Sequence, residues 1–242
     1  MIRRIVPLED AVAPRRSRVV GPAAGVRNAA LAALLGEREL GGWSLSPAAV
    51  DLLEQAILEH RPELILEFGS GVSTACLAHF QRELAGIVGR PLVVSLEEDK
   101  DQARTTSALL DELGLAGTAA VLAAPLADRA VEGGIERCYE PPIGALTQLF
   151  GGRRAGLVLV DGPSLPSGGS RFATVPLARD LIASGAVVFL DDARRDSELA
   201  VARRWKRLPW LDVRAIHLVG KGVLEARVRR LREEDPLTEA SA

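Results

Sequence analysis

The sequence predicts an α/β fold: a doubly wound, mostly parallel sheet that closes with a C-terminal antiparallel hairpin strand. Three observations predict it. Strand-like and helix-like stretches alternate five times between residues 64 and 208, the pattern of parallel strands joined by crossover helices. The strand-like stretches, such as Leu64-Ile65-Leu66, are apolar without alternation, as strands covered on both faces are. The last two, 211–218 and 223–228, are separated only by Val219-Gly220-Lys221-Gly222. That is too short for a crossover, so they form a hairpin.

The elements follow in order. Residues 1–25 are rich in Arg and Pro and read as a tail or an arm across the domain, with dimerisation (a homodimer) or acceptor recognition as the sharper alternative. Residues 23–38 are Ala/Leu-rich and predict a helix, broken at Gly41-Gly42. Ser46-Pro47 starts the next helix, because Ser caps free N–H groups and Pro suits the first turn. Val50, Leu53, Ile57 and His60 fall on one face of it, and Pro62 ends it. Residues 64–68 are the first strand of the main sheet and 72–84 its helix. Then come a strand at 91–96, a helix at 101–113 stopped by Gly114, and a strand at 118–123. Residues 125–152 are mixed, with a short helix at 143–150. A strand at 157–160 leads through the Gly/Ser/Pro loop 164–170 to a helix at 172–184, stopped by Gly185. A strand at 186–190 and an Arg-rich amphipathic helix at 197–208 precede the hairpin. The expected organisation is an N-terminal arm and helix (1–44), one domain (45–230) and a charged tail (231–242).

Bulk composition narrows the function. The 242 residues are 48% hydrophobic, enough for one sizeable core. A net charge of −2 makes no electrostatic case for nucleic acid. No apolar run approaches the ~20 residues a membrane helix needs. Asp10, Pro14 and Arg15 interrupt any apolar core a secretory signal would need, so a cytoplasmic location is expected. Cys76 and Cys138 lack a C-x-x-C spacing and read as reduced and structural. His60, His79 and His217 read as structural rather than as bases.

Two features carry chemistry. Leu64-Ile65-Leu66-Glu67-Phe68-Gly69-Ser70-Gly71-Val72-Ser73-Thr74 is a strand, a glycine bend and a helix start. Glycine permits the sharp turn and the close approach of a ligand, and the helix aims its free N–H groups at the same point. Second, Glu67, Glu97, Asp161 and the Asp191-Asp192 pair all fall at strand ends on one edge of the sheet. Crowded carboxylates repel one another, so stability does not explain them. A cationic or hydroxyl-rich ligand does. For each acid alone, a helix cap or solvated loop is the plainer reading.

The dinucleotide fingerprint needs G-x-G-x-x-G, and Thr74 stands where the third glycine belongs. The phosphate-binding G-x-x-x-x-G-K-[ST] loop is absent. Instead the stretch resembles the first motif of the class I S-adenosylmethionine-dependent methyltransferases, E/D-x-G-x-G-x-G, with Ser73 replacing the last glycine. Glu97 matches their acid after the second strand. The resemblance covers roughly residues 45–230. Val160-Asp161-Gly162-Pro163, Arg171-Phe172 with Pro176-Leu177, and Leu190-Asp191-Asp192-Ala193-Arg194 with Arg204-Trp205 resemble a bacterial branch of that superfamily. It implies a Rossmann-like, seven-stranded sheet and S-adenosyl-L-methionine as cofactor. It implies cofactor contacts from Glu67, Gly69, Ser70, Gly71, Ser73, Thr74, Glu97 and Asp161. Glu97 would take both ribose hydroxyls, Glu67 would orient the loop or meet the methionine amino group through the loop or a water, and Asp161 would sit by the reacting methyl. Ala123-Ala124-Pro125 lacks the acid that often meets adenine.

The implied reaction is in-line methyl transfer, most simply O-methylation of a small-molecule or glycan-type acceptor. Asp161 and Asp192 are the candidate bases. A divalent ion on Asp161, Asp191 and Asp192 is the less favoured variant: oxygen ligands suit Mg²⁺ or Ca²⁺, but the pair is Asp-Asp where metal-dependent catechol-type enzymes have Asp-Asn. Arg171, Arg194 and Arg195 flank the same edge, as acceptor ligands or, more simply, as solvated surface groups. Trp205 reads as core. A non-catalytic nucleoside-binding module and an NAD-dependent oxidoreductase are the alternatives.

Overall fold

A computed structural model describes residues 5–8, 20–22, 25–41 and 45–229. Most of the Arg/Pro-rich arm and the tail from residue 230 lie outside the described residues. Strand β1 (Ile5–Val6), strand β2 (Val20–Pro22), helix α1 (Ala29–Leu35) and strand β3 (Glu39–Gly41) come first. Helix α1 is shorter than the Ala/Leu composition predicts. The Asn28 side chain caps it by accepting from the Leu31 N–H at 2.9 Å, and Gly36 ends it at φ 60°. Gly41 pairs with Val20 in a two-stranded ribbon rather than simply breaking a helix.

Helix α2 (Pro47–His60) begins as predicted, with Ser46 Oγ accepting from the Ala49 N–H at 3.3 Å. Strand β4 (Leu64–Phe68), helix α3 (Val72–Val88), strand β5 (Leu92–Glu97), helix α4 (Lys100–Glu112) and strand β6 (Ala119–Ala123) then alternate. The mixed stretch is a hairpin of β7 (Leu126–Val131) and β8 (Gly134–Tyr139), followed by helix α5 (Ile143–Phe150). Its turn residues Glu132 and Gly133 both take positive φ, 46° and 81°, the geometry a two-residue type I′ connection demands. Strand β9 (Ala155–Val160), helix α6 (Arg171–Leu177), strand β10 (Ile182–Leu190), helix α7 (Asp196–Trp205), strand β11 (Leu211–His217) and strand β12 (Val223–Val228) complete the order.

One predicted helix is corrected. The stretch 172–184 is helical only to Leu177, turns once more at 179–181, and becomes strand from Ile182. Pro176 sits inside α6, where a ring nitrogen cannot donate to the preceding turn. Gly185, read as a stop, lies within β10 at φ 83°, where the pairing with β9 slips between Ile182 and Val187. It is a bulge glycine.

The main sheet has the order β1-β11-β12-β10-β9-β4-β5-β6. Strands β6, β5, β4, β9 and β10 are parallel neighbours. Strand β12 is antiparallel between β10 and β11, as the hairpin predicts. Strand β1, from the stretch read as an arm, pairs on the outer edge of β11. Side-chain parity divides the core. Leu66, Val94, Val158 and Val188 face the side that holds Trp205, whereas Ile65, Val93, Leu157 and Val187 face Ile57 and Leu77. Both faces are thus covered, as the non-alternating strands require. Trp205 is fully buried, with its indole N–H donating to the Phe172 carbonyl at 3.0 Å. Cys76 and Cys138 are free and buried.

From β4 the chain winds outward through β5 to β6, and from β9 it winds the other way. The order therefore reverses between β4 and β9, and ligands of such sheets lie beyond the strand ends at that reversal.

Candidate active site

The two loops at the reversal touch. Gly69, after β4, takes φ 95°; a Cβ there would stand 3.0 Å from the Gly162 nitrogen, after β9. The Asp161 and Gly162 N–H groups donate to the Phe68 carbonyl at 2.9 and 2.6 Å, and the Gly69 N–H donates to the Leu96 carbonyl at 2.8 Å. Backbone bonds thereby draw the ends of β4, β5 and β9 to one point. Gly71, at φ 152°, opens helix α3.

A cleft of about 350 Å³ lies over this point. Gly69, Ser70, Glu97, Asp161 and Asp192 line it, all predicted site residues. Glu97 Oε2 accepts from Ser70 Oγ at 2.8 Å and Oε1 accepts from the Asp99 N–H at 3.1 Å. Burial pushes its carboxyl above the ordinary range, against those hydrogen bonds.

Glu67, Ser73 and Thr74 lie beneath the bend, outside the cleft lining, and Gly71 is likewise not part of it. Glu67 is fully buried. Its Oε2 accepts from Thr74 Oγ1 at 2.6 Å and Ser95 Oγ at 2.5 Å, and Thr74 Oγ1 accepts in turn from the Gly71 N–H at 3.1 Å. Through Thr74 the Glu67 carboxyl is thus tied to the Gly71 N–H of the bend. Thr74 at the third-glycine position thus has a task of its own.

Burial raises Glu67 to about 7, against hydrogen bonds from Ser73, Ser95 and Thr74. A carboxyl raised in the folded state is protonated there while the unfolded chain has already ionised. Stability therefore falls as pH rises from about 4.5 to about 7, by up to about 3 kcal/mol for this group. Glu67→Gln keeps an acceptor and cannot ionise. Urea unfolding at pH 5 and pH 8 is expected to show a smaller loss of stability in the variant than in the parent. An equal loss would mean that Glu67 does not titrate as placed.

Four lining or neighbouring groups were not predicted. Glu98 accepts from the Tyr139 hydroxyl and the Ser164 N–H, both at 2.8 Å. Burial pushes its carboxyl up, but these donors prevail and hold it below its ordinary value. Gln102 reaches the Ser70 carbonyl at 3.4 Å. Tyr139 is the chain's single tyrosine, a sequence signal that went unused. Lys221, from the hairpin turn, lines the cleft.

Arg171 corrects its plainer reading as a solvated surface group: it is 8% exposed. Its guanidinium lies 3.7 Å from Asp161 Oδ1, 3.6 Å from Asp192 Oδ2 and 3.6 Å from Glu198 Oε1, and it donates to the Pro163 carbonyl at 3.2 Å. Burial opposes its charge, but Asp161, Glu198, Asp192 and Asp191 more than restore it. Arg195 and Arg194 are half-buried.

Asp161, Asp191 and Asp192 each bring a carboxylate oxygen within 4.8 Å of the others. Burial raises Asp161 to about 7, with Arg171 pulling down and Asp192 pushing up. Asp191 is likewise raised well above its ordinary range, by burial and then by Asp161 and Asp192. Asp192, at φ 58°, has both oxygens committed: Lys221 Nζ is 2.6 Å from Oδ1 and Arg195 Nη1 2.6 Å from Oδ2. All-oxygen donors suit a hard divalent cation in chemistry, but Lys221 and Arg195 already stand at the two Asp192 oxygens, and a metal would have to displace Lys221 to reach the cluster. The residues do not fit a metal as they are arranged. His60, His79 and His217 do not line the cleft.

The fold is a Rossmann-like, mostly parallel sheet with an antiparallel hairpin strand, and solved methyltransferases match it in fold. An O-methyltransferase from Bacillus cereus in complex with SAH is 20% identical, over 92% of this chain and 95% of that one, at a TM-score of 0.56. The O-methyltransferase TomG from Streptomyces achromogenes, in complex with SAM, is 21% identical over 77% and 82%, at 0.52. The SAH-bound methyltransferase PaMTH1 from Podospora anserina is 15% identical over 77% and 80%, at 0.55. These likenesses are of fold. No protein-family model matches the chain, and no curated protein does. Among the described residues, no helix is long and apolar enough to cross a membrane.

Proposed function

We propose that the protein is an S-adenosylmethionine-dependent O-methyltransferase acting on a small-molecule acceptor, of which a glycan is one form. The observation that carries this reading is the shared cleft: the glycine bend at Gly69-Ser70, the Glu97 carboxylate and Asp161 surround one hollow. Bare backbone at Gly69 admits a ligand against the chain. Glu97, at the end of β5, offers two oxygens to vicinal hydroxyls. The acidic rim suits a sulfonium cation. The three fold-level matches, each to a protein described with SAM or SAH, support the same cofactor.

In the transfer, an acceptor hydroxyl oxygen attacks the sulfonium methyl in line. The O–C bond forms, the C–S bond breaks, and its electron pair stays on sulfur as a neutral thioether. The leaving group arrives already activated, so the protein chiefly aligns the reactants and removes one proton. Asp161 is the base this geometry favours. Its raised carboxyl, near 7, suits proton transfer at neutral pH, and Arg171 stands 3.7 Å from it. Asp192, held by Lys221 and Arg195, serves better to position charge. The loop 164–170, tied to Glu98 through the Ser164 N–H, follows β9 on the active edge and flanks the acceptor side. The N-terminal arm and a homodimer remain separate proposals, testable by light scattering of full-length and truncated chains.

Calorimetric titration with S-adenosylhomocysteine tests the reading. Binding is expected at about 100 µM protein, and absence of heat would sink it. Glu97→Ala is expected to weaken that binding about 10- to 100-fold, since each hydrogen bond to a charged group contributes ~1.5–3 kcal/mol. NADH is expected to give no heat.

A further inference from the structure

Beyond the pairing of Lys221 with Asp192, the Val219-Gly220-Lys221-Gly222 turn has no task in the reading above, yet the fold presses it against the carboxylate cluster. The Gly222 N–H closes the turn on the Val219 carbonyl at 2.8 Å. The Ala193 N–H donates to the Gly222 carbonyl at 2.9 Å and the Arg194 N–H to the Lys221 carbonyl at 3.3 Å. These bonds fasten the turn to the residues just after the Asp191-Asp192 pair. Both glycines have positive φ, 52° and 90°, and a Cβ would meet Ser46 Oγ at 2.2 Å from Gly220 or Arg194 Cγ at 2.5 Å from Gly222. Glycine at both positions lets the turn lie this close without displacing Ser46 or Arg194.

We propose that Lys221 is the resident cation of the Asp161–Asp191–Asp192 cluster, standing where a divalent ion would need to bind and turning its ammonium toward the acceptor oxygen. Three observations carry it. The three carboxyl groups each bring an oxygen within 4.8 Å of the others, a set of oxygen donors of the kind a hard divalent cation takes. Lys221 Nζ is 2.6 Å from Asp192 Oδ1, and the other Asp192 oxygen is held by Arg195 at 2.6 Å. Asp191 Oδ2 and Asp192 Oδ1, both on residues 2% exposed, have no hydrogen-bond partner, the second being met only by the Lys221 ion pair, so the cluster keeps two oxygens that a metal could take if Lys221 were gone. An ammonium offers a fixed single charge and three donors, which can stabilise an acceptor oxygen as it loses its proton to Asp161. That last role rests on the methyl-transfer reading; the exclusion of metal does not.

The test is Mn²⁺ binding followed by electron paramagnetic resonance on the full chain. The parent is expected to bind no Mn²⁺ up to about 1 mM. Lys221→Met is expected to bind it at least tenfold more tightly, and Asp191→Asn added to Lys221→Met is expected to remove that binding. Lys221→Arg, which keeps the charge, is expected to behave as the parent. Tight Mn²⁺ binding by the parent that Asp191→Asn abolishes would overturn the proposal. So would a methionine variant that binds no better than the parent. Should that variant fail to fold, Lys221→Gln replaces it, with the same two readings. Titration with S-adenosylhomocysteine on the same samples reports the cofactor site separately, so a failed methyltransferase reading and a failed lysine assignment give different patterns.

Discussion

Gly162→Ala is expected to lower the unfolding midpoint by several degrees and to weaken S-adenosylhomocysteine binding at least tenfold. The added Cβ would stand 2.2 Å from Tyr139 Oη and 2.9 Å from both the Cα and the nitrogen of Gly69. A hydroxyl at the end of a side chain can move aside. The Gly69 backbone cannot, because its N–H is committed to Leu96 and the Gly162 N–H to Phe68. The β4 and β9 loops must therefore part, which moves the bend from which the cleft is built. Overpacking of this kind costs about 1–3 kcal/mol, and in a chain of this size each kcal/mol shifts the midpoint by about 2–4 °C. The double variant Gly162→Ala with Tyr139→Phe separates the two obstacles. It is expected to stay impaired, because the backbone contact persists. Full recovery of midpoint and affinity would show that the clash was with the hydroxyl alone, and that the Gly69–Gly162 contact does not set the cleft.

Much of this arrangement was legible because it depends on local chemistry. Non-alternating strands such as Leu64-Ile65-Leu66, acids at their ends and two glycines after the first of them need no tertiary information to be read. The four-residue hairpin turn likewise fixed the direction of β12. The β7–β8 hairpin was missed because its turn places Glu132, not Asn or Gly, at positive φ. The helix at 172–184 was overextended because Ala183-Ser184-Gly185 carries no strong signal, and only pairing with β9 makes it strand. Parity held an unused clue to Glu67. It shares a face with Ile65, the face covered by α3, so its carboxyl goes under the helix and not into the cleft. Arg171 and Lys221 were beyond local reasoning. Each is an ordinary basic residue until the fold brings it against acids 10 to 30 positions away.

Asp161→Asn is expected to lower kcat about 10³-fold while leaving S-adenosylhomocysteine affinity within about threefold. General-base catalysis contributes about 10²–10⁴-fold, and an amide of the same shape cannot take the proton. Asp192 is the less accessible base, since Lys221 and Arg195 each stand at one of its oxygens. The smaller effect is accordingly expected for Asp192→Asn. The pH profile carries the same assignment. Asp161, raised to about 7 by burial, is active when ionised, so kcat/KM is expected to rise with pH to a plateau above about 7 and to fall tenfold per unit below it. A bound sulfonium cation favours the ionised form, so the break in kcat is expected at lower pH than the break in kcat/KM. If Asp161→Asn kept kcat within threefold, or if both breaks survived in it unchanged, the proton would be leaving by another route. If the two breaks in the parent coincided, the positive charge of the cofactor would not lie beside Asp161, and the orientation of the methyl in the cleft would have to be reversed.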